Sequence, residues 1–416
     1  MHLSKSTIEP LYFFVLCGTI VSLFIHPKLS SIGIILLSLV WIADGFSGAK
    51  IRAFATHTFF ISCTLLFVSY IASWLLSADK AAAAFAIEKK LALPLLPAII
   101  LSMPTLSKRR LQQLFIFFIS ATTAIMLIAL TISVYKYSTG GDNGVLFYHA
   151  LVEGVHLSAI TASCFCLISL ILVQHTTLKI VYRGLISLFL ILCLLLLSSK
   201  MFLLMLVILG LVYLFSLKGT WYKIVLLSAL AVGFLLVINT ANPLKDRFAD
   251  IAKFNTERVQ AHQYTAEDYF DGLSMRLVYI RFSREMMQEH KALWLGVGTG
   301  DAETLLQQKI TRSGMYTGTG PSDKGYLEYG FHNQYLQVWV QMGLLGLSIY
   351  LLLLGIAWRY ALRSSAKWLA AILFVFTLGA LTDTWLEVQT GLILFLVFIS
   401  LGIRYAPTIN PERLSS

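Results

Sequence analysis

The sequence predicts an all-α polytopic membrane protein of about twelve transmembrane helices, with one large loop on the non-cytoplasmic side that contains an amphipathic helix. Three observations carry this. The 416 residues are 57% hydrophobic and 13% charged, with mean hydropathy +0.77, whereas soluble domains are roughly one-quarter charged. Apolar runs near the roughly 20 residues that cross a bilayer recur along the chain. One long stretch of mixed charge, 239–331, interrupts them.

The expected spans are 10–26, 31–48, 56–77, 91–106, 112–135, 155–175, 180–198, 201–217, 221–238, 334–357, 366–382 and 388–403. The first run has Lys5 as its only positive flank and lacks a small-residue cleavage site, so it reads as a retained span with the chain starting near Met1. Basic residues close to span ends resist translocation. An N-terminus inside places Lys50, Arg52, Lys108, Arg109, Arg110, Lys179, Arg183, Lys218, Lys223, Arg359, Arg363, Lys367 and Arg404 all on the cytoplasmic side. Nine spans then leave 239–331 outside, which divides the chain into 1–238 (transmembrane helices 1–9), 239–331 (the loop) and 332–416 (helices 10–12 and a cytoplasmic tail).

The loop holds eleven basic and twelve acidic residues, so the net charge of +11 sits mainly in the short inner loops. Cations scattered in this way do not form a nucleic-acid face, and no nucleic-acid partner is expected. Cys17, Cys63, Cys164, Cys166 and Cys193 all fall inside expected spans and read as packing residues.

Within the loop, Asp271 to Lys291 reads as an amphipathic helix capped by Asp271 or Ser274, with Leu277, Val278, Ile280, Phe282, Met286 and Met287 apolar. It leads to the glycine-rich turn Gly296-Val297-Gly298-Thr299-Gly300. Glycines recur through 311–331, which predicts a mobile flap. Ala81 to Leu91 is either an interfacial amphipathic piece or a plain helical extension.

The most informative segment begins at His332 and Asn333. At 100° per residue Asn333, Gln337 and Gln341 fall on one helical face with Gln334 beside them, and uncompensated amides facing hydrocarbon cost several kcal/mol. That face is expected to line a protein interior or a wet cavity. Gly343 and Gly346 lie one turn apart, a spacing that admits a close neighbouring helix. A lone interfacial histidine is ordinarily structural; the polar stripe favours a functional His332. Arg276 and Arg281 diverge by about 140° on the loop helix. Arg281 has Glu285 at i+4, an ordinary structural pair. Arg276 has no acid at i+3 or i+4 and is the better anion ligand, while Lys200, after Ser198 and Ser199, is either a snorkelling lysine or a second one. Outer segments contain no clustered carboxylate, His or Cys pattern, so no metal and no cofactor are expected.

Two motifs together, His332-Asn333 followed by Gly343-x-x-Gly346, and Arg276-Leu277 leading to Gly296-Val297-Gly298, resemble the O-antigen ligase family of membrane glycan ligases and polymerases. The resemblance covers the chain's length, spans and loop. It implies transfer of O-antigen polysaccharide from undecaprenyl diphosphate to the lipid A-core oligosaccharide, at the periplasmic face of a bacterial inner membrane. Both substrates and the surrounding membrane lipid are then the partners. In that reading His332 is the base for the acceptor hydroxyl, and Arg276, Lys200 and, less directly, Arg281 hold the diphosphate. Family members often carry arginine where Lys200 stands, so a bidentate fork is replaced by a point charge. One base without a carboxylate nucleophile fits a single, inverting displacement. Asp383 and Glu387 are the challengers to His332, held as supporting acids. Polymerases and protein O-oligosaccharyltransferases share the donor and are the alternative; a transporter or flippase is more distant, since such proteins carry charges or broken helices near the midplane.

A single cysteine placed near residue 310 should react with a membrane-impermeant thiol reagent in intact inner membranes, whereas one near Arg109 should react only after disruption. The opposite pattern overturns the orientation.

Overall fold

The computed structural model describes residues 5–216, 219, 256–321 and 323–405; the expected span 221–238 and the first part of the loop lie outside the described residues. Seventeen α-helices are described: α1 Lys5–Ile25, α2 Pro27–Ala43, α3 Gly48–Ala55, α4 Thr58–Leu76, α5 Lys80–Lys90, α6 Ala92–Ser102, α7 Lys108–Ser138, α8 Tyr148–Glu153, α9 Ala159–Val173, α10 Ile180–Leu197, α11 Lys200–Ser216, α12 Thr256–Gln260, α13 Gly272–Glu289, α14 Ala302–Arg312, α15 Gln334–Arg363, α16 Lys367–Gly379 and α17 Gln389–Tyr405.

Among the described residues, five segments are long and apolar enough to cross a membrane: Ile8–Ile25, Thr58–Leu76, Lys108–Ser138, Ile180–Leu197 and Gln334–Arg363. Lys28–Ala43, Ala159–Val173, Lys200–Ser216, Lys367–Gly379 and Gln389–Tyr405 are apolar helices of 10–17 residues, of which Lys28–Ala43, Ala159–Val173 and Lys367–Gly379 are shorter than the runs expected there. Large apolar side chains on several of these helices are exposed, such as Leu188 at 68% and Phe215 at 73%. A chain in water would bury such side chains, so these faces meet lipid. The expected span 91–106 holds only the 11-residue α6, which contains Pro97 and stops at the extended Met103 before Pro104. Proline forces the preceding residue out of the helical region.

The chain forms two compact units, Met1–Tyr12 with Ser31–Pro104 and Phe254–Ser416, and Phe13–Ser30 with Thr105–Lys253. In the first, α17 is the core, buried at every residue from Thr390 to Ile403, and α4, α6, α15 and α16 pack around it and one another. A helix apolar all round is a helix surrounded by protein. In the second, Phe24, Phe118 and Phe165 interlock with centroids 4.3 to 6.0 Å apart, and the Ser169 hydroxyl donates to Thr122 at 2.9 Å. All five cysteines are buried, and none is in a disulfide.

The amphipathic loop helix is α13. Asp271 caps it, its carboxylate accepting from the Leu273 and Ser274 amides at 3.3 and 3.0 Å. Its buried face is Met275, Val278, Tyr279, Phe282, Met286 and Met287, while Ile280 is exposed. The segment expected to be a mobile flap is tied down. Gly314, at φ +78°, accommodates the Tyr264 carbonyl, and the Tyr326 hydroxyl accepts from the Phe270 amide at 2.9 Å. Helix α5 is exposed along most of its length, with Ala83 and its last residue, Lys90, fully buried.

The least expected feature is inside α15. Gly343 adopts φ +65°, ψ −166°, which breaks the helix. The turn Leu293–Gly298 fills the gap: the Val297 and Gly298 amides donate to the Val340 and Gln341 carbonyls (2.9 and 3.2 Å), and the Leu344 and Leu345 amides donate to Leu293 and Trp294 (2.9 and 3.2 Å). A Cβ at Gly343 would lie 2.2 Å from the Trp294 carbonyl carbon, and one at Gly296 2.4 Å from that of Gln341. The glycines thus admit a backbone loop rather than the neighbouring helix expected, and Gly346 sits against Met342 across the break. Below the break, 344–363 is about 30 Å of helix at 1.5 Å per residue, enough to cross a bilayer.

Gly343→Ala should destabilise the protein by at least about 1–3 kcal/mol, from the strained φ alone, before the clash is counted. Gly355, where an added methyl group would meet nothing within 4 Å, should tolerate alanine. Thermal midpoints of the two purified variants check this; equal midpoints overturn the role given to the break.

Candidate active site

His332 lies between Phe331, which is fully buried in the loop core, and Asn333, which starts α15. Its backbone is left-handed, at φ +48°. Such a conformation in a non-glycine residue persists only where its surroundings over-determine it, and it clusters at functional sites. The imidazole packs on the Tyr329 ring at 5.5 Å between centroids. Its Nε2 is closed from solvent and has no hydrogen-bond partner. Burial, reinforced by the positive charge of Arg276, pushes the His332 pKa down to about 4. At neutral pH the ring is therefore uncharged, with a lone pair available. A desolvated imidazole beside a guanidinium resists protonation.

Arg276 projects from the first turns of α13 and donates to the Gly272 carbonyl at 2.5 Å and to the Thr382 carbonyl at 2.9 Å. Asp383, the next residue, feels the same guanidinium. Burial raises its carboxyl pKa, and the Thr384 amide (2.8 Å) and Arg276 oppose that rise. His332, Arg276 and Asp383 are thereby brought together from three separate stretches of sequence. Arg281 points elsewhere: it donates to the Ala261 carbonyl and, at 2.9 Å, to the Tyr264 hydroxyl, and it pairs with Glu285 at 3.4 Å. The divergence of the two arginines is thus realised. Lys200 opens α11 in the other unit, just after Ser198 ends α10 in a left-handed turn at φ +51°.

Asn333 does not join the glutamine stripe. It is the α15 N-cap, with φ −158° and its Oδ1 accepting from the Leu336 amide at 3.0 Å, so its side chain is used at the helix start. Gln334, Gln337 and Gln341 are buried to 3% exposure or less. Gln334 Nε2, Gln337 Nε2 and Gln341 Oε1 each have no hydrogen-bond partner. Gln334 also fastens the segment 380–388, its amide donating to Ala380 at 2.8 Å and its Oε1 accepting from Leu386 at 2.7 Å.

The sequence offers Asp383 and Glu387 of that segment as supporting acids, and what it does not show is how the segment is fastened. Arg276 holds it at Thr382, Gln334 at both ends, and Lys90 donates to the Leu386 carbonyl and, at 2.9 Å, to the Glu387 carboxylate. The Tyr70 hydroxyl adds a 3.3 Å bond to Glu387. Burial lowers the Lys90 pKa and Glu387 opposes the shift. Asp301 is likewise engaged, accepting from the Ala78 and Asp79 amides at 2.6 and 2.9 Å. A cleft of about 620 Å³, lined by Gln307, Lys324, Leu327 and Glu328, opens elsewhere on the loop and holds none of these residues.

No curated protein matches the chain. Residues 184–351, however, match the family model described as O-Antigen ligase. The matched stretch contains Lys200, Arg276, Gly296, His332 and Gly343, and so spans both motifs and the broken helix that joins them. Over that stretch the chain is similar to the O-antigen ligase family.

Proposed function

We propose that the protein is a glycosyltransferase that moves O-antigen polysaccharide from undecaprenyl diphosphate to the lipid A-core oligosaccharide at the periplasmic face of the inner membrane. The observation that carries the reading is the uncharged His332, with an unbonded nitrogen beside Arg276. A base must be unprotonated to act, and the leaving diphosphate needs fixed cations where charge develops. His332 Nε2 takes the proton of the acceptor hydroxyl as that oxygen attacks the anomeric carbon, the bond from that carbon to the diphosphate breaks, and the diphosphate leaves toward Arg276; Lys200 is a further diphosphate ligand on the resemblance alone. Gln337 and Gln341 line the path of the sugar. Arg281 supports the loop rather than the phosphate. The anionic donor offsets the field of Arg276 on the imidazole, so the base strengthens when substrate arrives.

No metal is required in this scheme. Of the acids that might have held one, Asp301 caps backbone amides and Glu387 pairs with Lys90. The break at Gly343 is the kind of feature transporters use for ion sites. Here its carbonyls accept from Val297 and Gly298, which supports transfer chemistry over transport. A polymerase would share every donor contact and differ in acceptor. Cells lacking the protein would then accumulate single repeat units, whereas loss of a ligase leaves full-length polymer on its lipid carrier.

His332→Ala should lower transfer by roughly 10²–10⁴-fold, the usual worth of a positioned base, in protein that still inserts. Arg276→Ala should cost about ten- to a hundredfold, as expected for charge-assisted bonds worth about 1.5–3 kcal/mol, and more than Arg281→Ala costs in kcat. Lys200→Ala should be impaired and Lys200→Arg tolerated. In-vitro transfer with lipid-linked donor reads all of these, and near-wild-type activity of well-expressed His332→Ala removes the base assignment.

The pH profile gives an independent check. A depressed pKa keeps the base form above it and loses that form as pH falls through it. The acid limb of kcat/KM, which reports free enzyme, should therefore lie near pH 4. The limb of kcat, which reports the substrate complex, should lie higher. A kcat/KM limb at the ordinary imidazole value of about 6.5 would show His332 exposed to water rather than enclosed.

A further inference from the structure

The outward face of α13 is unlike its buried one. Leu273, Ile280, Arg284, Gln288 and Lys291 recur at helical spacing, and all are exposed. Acids on the same helix are already engaged, since Glu285 pairs with Arg281 and Lys309, and Glu289 with Lys309. Among the described residues Arg284 and Lys291 have no acid within ion-pair distance, so the face carries uncompensated positive charge. Between it and α15 lies a cleft of about 450 Å³ lined by Arg284, Met287, Gln288, Lys291, Leu293 and Trp339. The indole N–H of Trp339 has no acceptor.

The cleft's position names its occupant. Leu293, Trp294 and Leu295 are exposed at 45, 62 and 53%, on the turn whose carbonyls receive the first amides of the bilayer-length half of α15. Below them Leu345, Leu351 and Leu352 are exposed along that helix. Cations therefore sit above an apolar wall at the level where a hydrocarbon-length helix begins. This is the arrangement of an interfacial lipid headgroup, with tryptophan at the boundary and basic groups meeting phosphate. A soluble anion would need the cations and leave the exposed apolar wall unexplained. Trp339 lies two residues, or about 200°, from Gln337 around the helix, so this face is separate from the glutamine stripe.

We propose that the cleft binds an anionic phospholipid of the surrounding leaflet, its phosphate between Arg284 and Lys291 and its acyl chains against Leu293 and the lipid-exposed leucines of α15. The headgroup pins the outer face of the loop helix to the membrane surface at the break.

Native mass spectrometry of the full chain in detergent, titrated with phosphatidylglycerol or phosphatidylcholine, tests this. Wild type should retain one phosphatidylglycerol at least tenfold more tightly than phosphatidylcholine. Arg284→Gln with Lys291→Gln, both at exposed positions, should abolish that preference, while Lys324→Gln on the other side of the loop should keep it. Glycerol phosphate without acyl chains should not displace the bound lipid. Retention unchanged in the double variant, no preference in wild type, or full displacement by glycerol phosphate would each overturn the proposal.

Discussion

Breaking a helix between Met342 and Leu344 strips backbone groups of their i to i−4 partners, and near hydrocarbon each unpaired group costs several kcal/mol. The protein meets that constraint with another stretch of its own backbone. Four hydrogen bonds from Leu293–Gly298 replace those lost, and the close approach is possible only because Gly296 and Gly343 lack side chains. The arrangement fixes where α13 ends relative to α15. It thereby fixes Arg276 relative to His332, and the segment 380–388 is then fastened to both by Arg276 and Gln334.

The site so formed is held mostly by main-chain acceptors. Arg276 donates to two main-chain carbonyls, which orient its guanidinium. Burial raises the pKa of the nearby Asp383, and Arg276 opposes that rise. The buried ion pair of Lys90 and Glu387 stands behind this layer. Removing one partner of such a pair leaves an uncompensated charge, so the segment bearing Thr382 is held at several points on its far side as well.

Local devices are legible in the sequence. The Asp271 cap, the amphipathic period of α13, the divergence of Arg276 and Arg281, and the buried glutamines all follow from spacing within one helix. Sequence and structure part where a residue's partner is distant. Asn333 has the right spacing for the stripe, yet a side chain one position ahead of a helix can bond the free amides there, and it does. Gly343 and Gly346 have the spacing of a helix-packing motif, and nothing within α15 announces that a turn about fifty residues earlier enters between them. Lys90 ends an alanine-rich helix that reads as surface, and its partner lies 297 residues away. The shortness of α6 is written in Pro97 and Pro104, and hydropathy alone conceals it.

The break in α15 also bears on how the chain is made. The turn Leu293–Gly298 leaves the ribosome before the helix it completes, so its amides and carbonyls wait for partners that have not yet been synthesised. Until α15 is in place, the loop core can collapse around α13 and α14, but its exit turn has nothing to bind. The half of α15 above Gly343 meanwhile has no helical continuation. Folding of this part of the chain therefore includes a docking step between the turn Leu293–Gly298 and a helix synthesised after it. A chain arrested before that step would carry a collapsed loop core without the break filled, and so without His332 and Arg276 fixed relative to one another.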